Sequence, residues 1–345
     1  MLPDGRRLGA HLNVADGMIK AADRAAAIGA TALQIFGDNP TAWTRRTEPA
    51  SDRSAFRARL AEQGIDPLVV HASYLVNLAG PDPGFFERSI GLLAAELRDA
   101  VGAGARHVNV HIGSHRGTGV EVGIERLAEG ILRTLEAADA DADGAGAAGA
   151  AGDDGAGAAI EPSILLENSS GGGGGLGVDV NELAAIAAAI ERRGIPRGRV
   201  GFCLDTAHAW GAGHDLSDPA TTDELLAAFD AQIGLDRLPV VHLNDSKSGL
   251  GSRMDRHEHI GAGQIGEVGM AHLLRHPLLA DVAYILETPG MDQGYDAINI
   301  ARAIALARGE PLAPLPPGAL TIPGSRSRTA TAVASDPPSG GMAGQ

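Results

Sequence analysis

The 345-residue chain has one cysteine, Cys203, and only 3% aromatic residues. A lone cysteine excludes an internal disulfide framework and suits a reducing compartment. So few aromatic rings leave Ala, Val, Leu and Ile to build the core, within a hydrophobic fraction of 44%. No run of about eighteen apolar residues exists, so no membrane span is expected. The opening Met1-Leu2-Pro3-Asp4-Gly5-Arg6-Arg7 lacks the apolar stretch of a secretory signal, and a cytoplasmic location is expected. Positive charge is scarce as well: 28 Lys and Arg face 43 Asp and Glu, for a net charge of −15. That balance disfavours non-specific nucleic-acid binding. It leaves room for a local exception, because carboxylates that hold metal ions are neutralised, and clustered ions can grip phosphate.

What the chain does have is alternation. Short apolar runs predict strands over 7–12, 31–36, 67–70, 106–110, 163–166, 199–204, 239–243 and 282–286. Between and after them, helices are predicted over 16–28, 52–63, 83–103, 121–138, 181–193, 218–233, 267–275 and 296–307. Eight strand–helix units in this order imply an α/β chain with a parallel sheet, closed as a (β/α)8 TIM barrel. A doubly wound open sheet is the alternative, but no Gly-rich dinucleotide fingerprint follows the first strand. Composition breaks twice. Residues 139–159 are almost wholly Ala, Gly and Asp and are expected to form a disordered insert between the fourth helix and fifth strand. Residues 311–345, rich in Pro, Ser, Gly and Ala, are expected to be a disordered tail, leaving one domain over 1–310. The run Gly171 to Gly175 reads as a loop; no Gly-Lys-Ser/Thr follows, so it is not a phosphate loop.

Seven of the eight predicted strands end in a His, Asp or Glu: His11, His71, His111, Glu167, Asp205, His242 and Glu287; the second runs instead into the loop 37–43. His208, Asp255 and His257 follow in loops, the last two alternating so that an extended loop points both the same way. Taken singly, each has a bland explanation. A His at a strand end is usually packed or solvated, Glu167 and Glu287 could be ion-pair partners, and Asp205 could be a helix cap. Taken together, they fall at the carboxyl ends of barrel strands, where reactive groups gather. One zinc takes about four ligands, so this many point to two or three ions. Clustered divalent ions suit phosphoryl chemistry, and imidazole donors favour zinc, with manganese or iron as partial substitutes. Cys203, inside the apolar Gly201-Phe202-Cys203-Leu204, reads as a small core residue rather than a nucleophile.

Three stretches carry a family resemblance: His71-Ala72-Ser73-Tyr74-Leu75-Val76-Asn77, Gly201-Phe202-Cys203-Leu204-Asp205-Thr206-Ala207-His208, and His242-Leu243-Asn244-Asp245-Ser246-Lys247 through Asp255-Arg256-His257. They resemble, in order, the signatures of endonuclease IV, the type 2 apurinic/apyrimidinic endonucleases, over about Leu8 to Ala307. The resemblance implies a (β/α)8 barrel with three zinc ions per chain that incises double-stranded DNA at abasic sites and clears blocked 3′ ends. Carried over, His71, His111 and Glu167 resemble the ligands of a first zinc. Glu167 would bridge to a second, held also by Asp205, His242 and Glu287, and His208, Asp255 and His257 resemble the ligands of a third. Glu167 is then the candidate catalytic residue. Tyr74 matches a residue that enters the minor groove, and Lys247 and Arg256 are expected at phosphates. Two departures stand out. Ala207 replaces a Cys that is not a ligand, and Pro40-Thr41-Ala42-Trp43 lacks the long polar or basic side chain that the family often inserts into DNA. A metal-dependent sugar isomerase or epimerase on a related barrel is the main competitor, but Asp255-Arg256-His257 would supply a third metal group such enzymes do not need. A catalytically dead DNA-binding barrel is a third reading, which would have no use for nine ligands. No dimer surface is legible, and a monomer is expected.

Overall fold

The computed structural model describes residues 1–45, 52–144, 161–291 and 293–322. Eight strands, β1 (Arg7–His11), β2 (Ala32–Phe36), β3 (Leu68–His71), β4 (His107–His111), β5 (Ser163–Glu167), β6 (Val200–Asp205), β7 (Val240–His242) and β10 (Ala283–Leu286), pair in parallel around a closed barrel. The last strand closes on the first, with Arg7 opposite Ala283 and Ala10 opposite Leu286. Closure removes the open-sheet alternative. Two short strands, β8 (Asp245–Ser246) and β9 (His257–Glu258), form an antiparallel hairpin above β7.

The outer helices are α1 (Met18–Ala27), α2 (Arg53–Gln63), α3 (Pro83–Ala103), α4 (Val120–Gly144), α5 (Val180–Arg192), α7 (Pro219–Gln232), α8 (Gly266–Arg275) and α9 (Tyr295–Arg308). Local chemistry sets their ends. Asp82 caps α3 by accepting from Phe85 N, Pro83 follows at its first turn, and Gly104 ends it in the left-handed region. Asp179 caps α5 in the same way. One helix was not foreseen: α6 (Thr206–Ala212), whose cap, Asp205, accepts from His208 N.

Two expected boundaries move. The fourth helix runs on to Gly144, six residues into the Ala- and Asp-rich stretch, because alanine is the best helix former; the rest of the expected insert, 145–159, lies outside the described residues. The tail expected from 311 is packed on the barrel as far as 322. Leu312 joins the core, Ala319 is buried, and Ala319–Thr321 makes a short 3-10 turn. Its Pro-rich composition concealed these two apolar anchors. Residues 323–345 lie outside the described residues. Among the described residues, no helix is long and apolar enough to cross a membrane.

The bore explains the site. An apolar layer inside the barrel is made by Ala32, Val69, Leu165, Cys203, Val240, Ala283 and Ile285. Strand side chains repeat with period two. Two residues further along, on the same face, stand Gln34, His71, Glu167, Asp205, His242 and, beyond Ile285, Glu287. A ring of polar groups therefore sits directly on a dry floor, and Cys203 is part of that floor, as expected. Gly9 fits β1 against β2 only without a side chain, since a Cβ there would stand 2.0 Å from the Ala32 carbonyl oxygen.

Candidate metal centre

The strand-end residues converge. His71, His111 and Glu167 bring one donor atom each within 4.8 Å of one another; so do Glu167, Asp205, His242 and Glu287, and so do Asp205, His208 and His257. The groups overlap through Glu167 and Asp205. Glu167 Oε2 stands 3.6 Å from Nε2 of both His71 and His111, while its Oε1 is 3.3 Å from His242 Nδ1 and from His208 Nδ1. Asp255, expected in the third group, lies beside it: its carboxylate is 3.3 Å from His208 Nε2 and 3.0 Å from His257 Nε2.

The imidazoles are fixed by what their outer nitrogens touch. Nδ1–H of His71 donates to the Ala72 carbonyl (2.8 Å), that of His208 to Asn168 (2.9 Å), and that of His257 to Glu287 (2.8 Å). His242 is turned the other way, donating Nε2–H to Gln34 Oε1 at 2.9 Å. A carbonyl oxygen accepts only, so the outer nitrogen of each ring carries a proton and the inner one is left to take a second proton or a metal ion. The carboxylates are anchored too. Asn109 donates to Glu167 Oε2 (2.6 Å), Asn244 to Asp205 Oδ2 (2.7 Å), and Gln34 Nε2 to Glu287 Oε1 (2.6 Å). Glu167 Oε1, His242 Nδ1, Asp255 Oδ1 and His257 Nε2 are buried without a hydrogen-bond partner. Bare nitrogen lone pairs facing anionic oxygens repel one another unless a cation stands between them. This orphaned, outer-braced donor set fits divalent ions of the zinc class.

The charge state tells the same story. Burial opposes charge on His257, but Asp255 and Asp205 overcome it and lift the ring to about 10. Burial likewise opposes charge on His208 and His242, but Asp205 and Asp255 beside His208, and Cys203, Glu287 and Glu167 beside His242, raise both well above the ordinary range. Burial would raise Asp255, yet His208 and His257 hold it well below. His111, at the mouth and with less anionic company, is pushed down to about 4 by burial. The centre demands positive charge at its middle.

A cavity of about 670 Å³ opens above the ring. Tyr74, His111, Glu167, His208, Asp255 and Arg256 all line it. Tyr74 is half-buried with its ring 5.8 Å from that of His111, and burial keeps its phenol protonated. Arg256 is exposed at the rim. Lys247 is elsewhere engaged: its ammonium donates to the Ile322 carbonyl (2.6 Å) and lies 3.6 Å from Glu258. Trp43, in the loop without a wedge, packs against Phe85 and under Arg88.

A second His/Asp cluster lies outside the barrel. Asp223 Oδ1 meets His272 Nε2 at 2.6 Å and His276 Nε2 at 3.0 Å. Here the Leu278 N–H donates to His276 Nδ1, so Nε2 carries the proton and donates to Asp223. Every facing atom is satisfied, which is the opposite of the mouth. Reading strand ends singled out donor residues that do converge in space but missed the amides that brace them. Asn109 stands two residues before His111 on the same face of β4, and Asn244 two residues past His242, just beyond the end of β7; that spacing was the available signal.

Comparison with known proteins fits this geometry. Residues 22–308 match the family described as xylose isomerase-like TIM barrel. The chain is 40% identical over 299 residues to a probable endonuclease 4 of Halothermothrix orenii, covering 86% of this chain and 99% of the relative. It is 39% identical over 300 residues to a probable endonuclease 4 of Methanoculleus marisnigri, with 87% and 98% coverage. Among solved structures, endonuclease IV from Thermus thermophilus is similar with a TM-score of 0.72 and 37% identity, over 88% of this chain and 99% of that one. A D-psicose 3-epimerase from Clostridium cellulolyticum shares the fold at 13% identity, with a TM-score of 0.57, over 88% and 97%.

Proposed function

Given that the chain belongs to the endonuclease 4 family within the xylose isomerase-like TIM barrels, we propose that it is a metal-dependent DNA-repair endonuclease acting on double-stranded DNA at abasic sites. The observation that carries this reading is the set of three donor groups that share Glu167 and Asp205. His71, His111 and Glu167 would hold a first zinc; Glu167, Asp205, His242 and Glu287 a second; His208, Asp255 and His257 a third. When bound, such ions polarise the phosphate, make hydroxide accessible at neutral pH and stabilise the leaving oxygen.

The chain's own residues do the rest. A missing base lowers the cost of turning the nucleotide out of the stack, and the cavity under Tyr74 receives it. Arg256, exposed at the rim, contacts backbone phosphate. Lys247 reaches phosphate only by leaving Ile322. Glu167, with one oxygen toward each of two histidine pairs, orients the attacking water. Attack on the phosphorus 5′ to the lesion breaks the bond to the 3′ oxygen. The products are a 3′-hydroxyl and a 5′-deoxyribose phosphate. The same mouth would accept damaged 3′ ends, giving a 3′-repair diesterase activity. The enzyme works as a cytoplasmic monomer. The test is a nicking assay on an abasic duplex beside a ketose–aldose assay. Chelator-sensitive nicking with no sugar interconversion is expected; the reverse result would assign the chain to the isomerase side of the fold.

A further inference from the structure

The third metal group differs from the others in its support. His71, His111, Glu167, Asp205, His242 and Glu287 stand at the ends of barrel strands. Asp255 and His257 instead belong to the β8–β9 hairpin and its loop, outside the barrel. What holds that hairpin from outside is residues 311–322, which lie beyond the stretch matched by the family.

The contacts are specific. Lys247, beside β8, donates to the Ile322 carbonyl at 2.6 Å, and its backbone N–H donates to Arg256 O at 2.9 Å. His259, directly after β9, has its Nε2 3.3 Å from the Ala319 carbonyl, and its ring stacks on Tyr295 at 5.0 Å. Asn299 Nδ2 donates to His259 Nδ1, which leaves the proton on Nε2 for Ala319. Arg302 of α9, itself buried, spans both parts, donating to Ile260 O at 2.6 Å and to Ala313 O at 2.7 Å. Leu312 lies over Gly261, where a Cβ would stand 2.7 Å from Leu312 Cδ1. The backbone there is also left-handed (φ 71°), so glycine serves both the turn and the close approach.

We propose that residues 311–322 are a strap that positions the hairpin and so sets the geometry of the third metal group, with Lys247 as its clasp rather than a phosphate contact. This rests on the metal reading above, and the test separates the two. Full-length chain loaded with zinc is compared with Leu312→Asp, which lifts the strap, with Lys247→Met, which opens the clasp, and with Lys247→Arg, which keeps a donor to Ile322. Zinc retained against a competing chelator and amide exchange over 245–258 are measured, neither of which involves DNA. Loss of outer support weakens one ion of three by about 10- to 100-fold. Exchange rises over the hairpin in both disrupting variants, and Lys247→Arg restores both readouts. Faster exchange confined to 311–322, with zinc retention unchanged, would overturn the proposal. If the unaltered chain holds no zinc, the metal reading falls, and the hairpin exchange alone then decides whether the strap stands.

Discussion

At the scale of single residues, direction matters as much as identity. Gln34 is wholly buried and crosses the bore, donating to Glu287 and accepting from His242. Gln34→Glu keeps the shape but sets a carboxylate against Glu287 and invites a proton onto His242. We expect metal affinity to fall about 10- to 100-fold, read by zinc competition. Glu167→Gln should leave the barrel folded and lose most of the cleavage; near-normal turnover at full metal load would remove Glu167 from the mechanism. A third prediction concerns stability. His107, at the start of β4 and away from the mouth, is held down to about 4 by burial and then by Arg106, against an ordinary 6.5. Below pH 6.5 the unfolded chain takes up a proton that the folded chain refuses until about pH 4. The stabilisation is thus whole above 6.5 and drains away as pH falls, by at most about 1.4 kcal/mol per pH unit. His107→Gln should flatten that part of the stability–pH curve in urea unfolding. Residues that titrate were legible in the sequence because strand ends are sparse places for them. Gln34, inside Ala-Leu-Gln-Ile-Phe, was not: a neutral amide in an apolar run looks like an interruption until the bore gives it partners.

At the scale of elements, the long periodic pieces were legible and the short ones were not. All eight barrel strands and, apart from the far end of α4, their outer helices were placed within a few residues, because each has an apolar run and a turn former. α6 spans only seven residues and follows a strand without a break, so Asp205 read as a cap with nothing certain behind it. The β8–β9 hairpin pairs only two residues per strand, too few for a pattern. Asp255 and His257, read as alternating, do face each other, with Asp255 Oδ1 3.0 Å from His257 Nε2. Gly9 tests the barrel wall. Gly9→Ala would drive a Cβ into the Ala32 carbonyl, and overpacking of that kind costs about 1–3 kcal/mol or more. A lower urea midpoint with an unchanged slope is the expected result; an unchanged midpoint would mean that β1 and β2 can part freely.

At the scale of the whole molecule, ions held by the shared centre would make folding and ion binding one equilibrium. Ions that bind only the folded chain stabilise it by about 2.7 kcal/mol per site at 100 times Kd. Chelation should therefore lower the melting temperature as well as abolish nicking, and the shift should grow with free zinc on add-back. A melting temperature indifferent to zinc would contradict a shared centre. The ring of donors is also drawn from far apart in the chain, from His71 to Glu287, and it shuts only when β10 lies against β1. During synthesis, then, the joined centre is completed only near the end of the barrel, because the group that links the other two includes Glu287. Until Glu287 has left the ribosome the second group lacks a member, and until the barrel shuts, His208, His242 and His257 lack the distant oxygens of Asn168, Gln34 and Glu287 that fix their tautomers. An ion that needs the shared centre would then be acquired late, by a closed barrel, which would spare the nascent chain from being cross-linked through its histidines into wrong pairings.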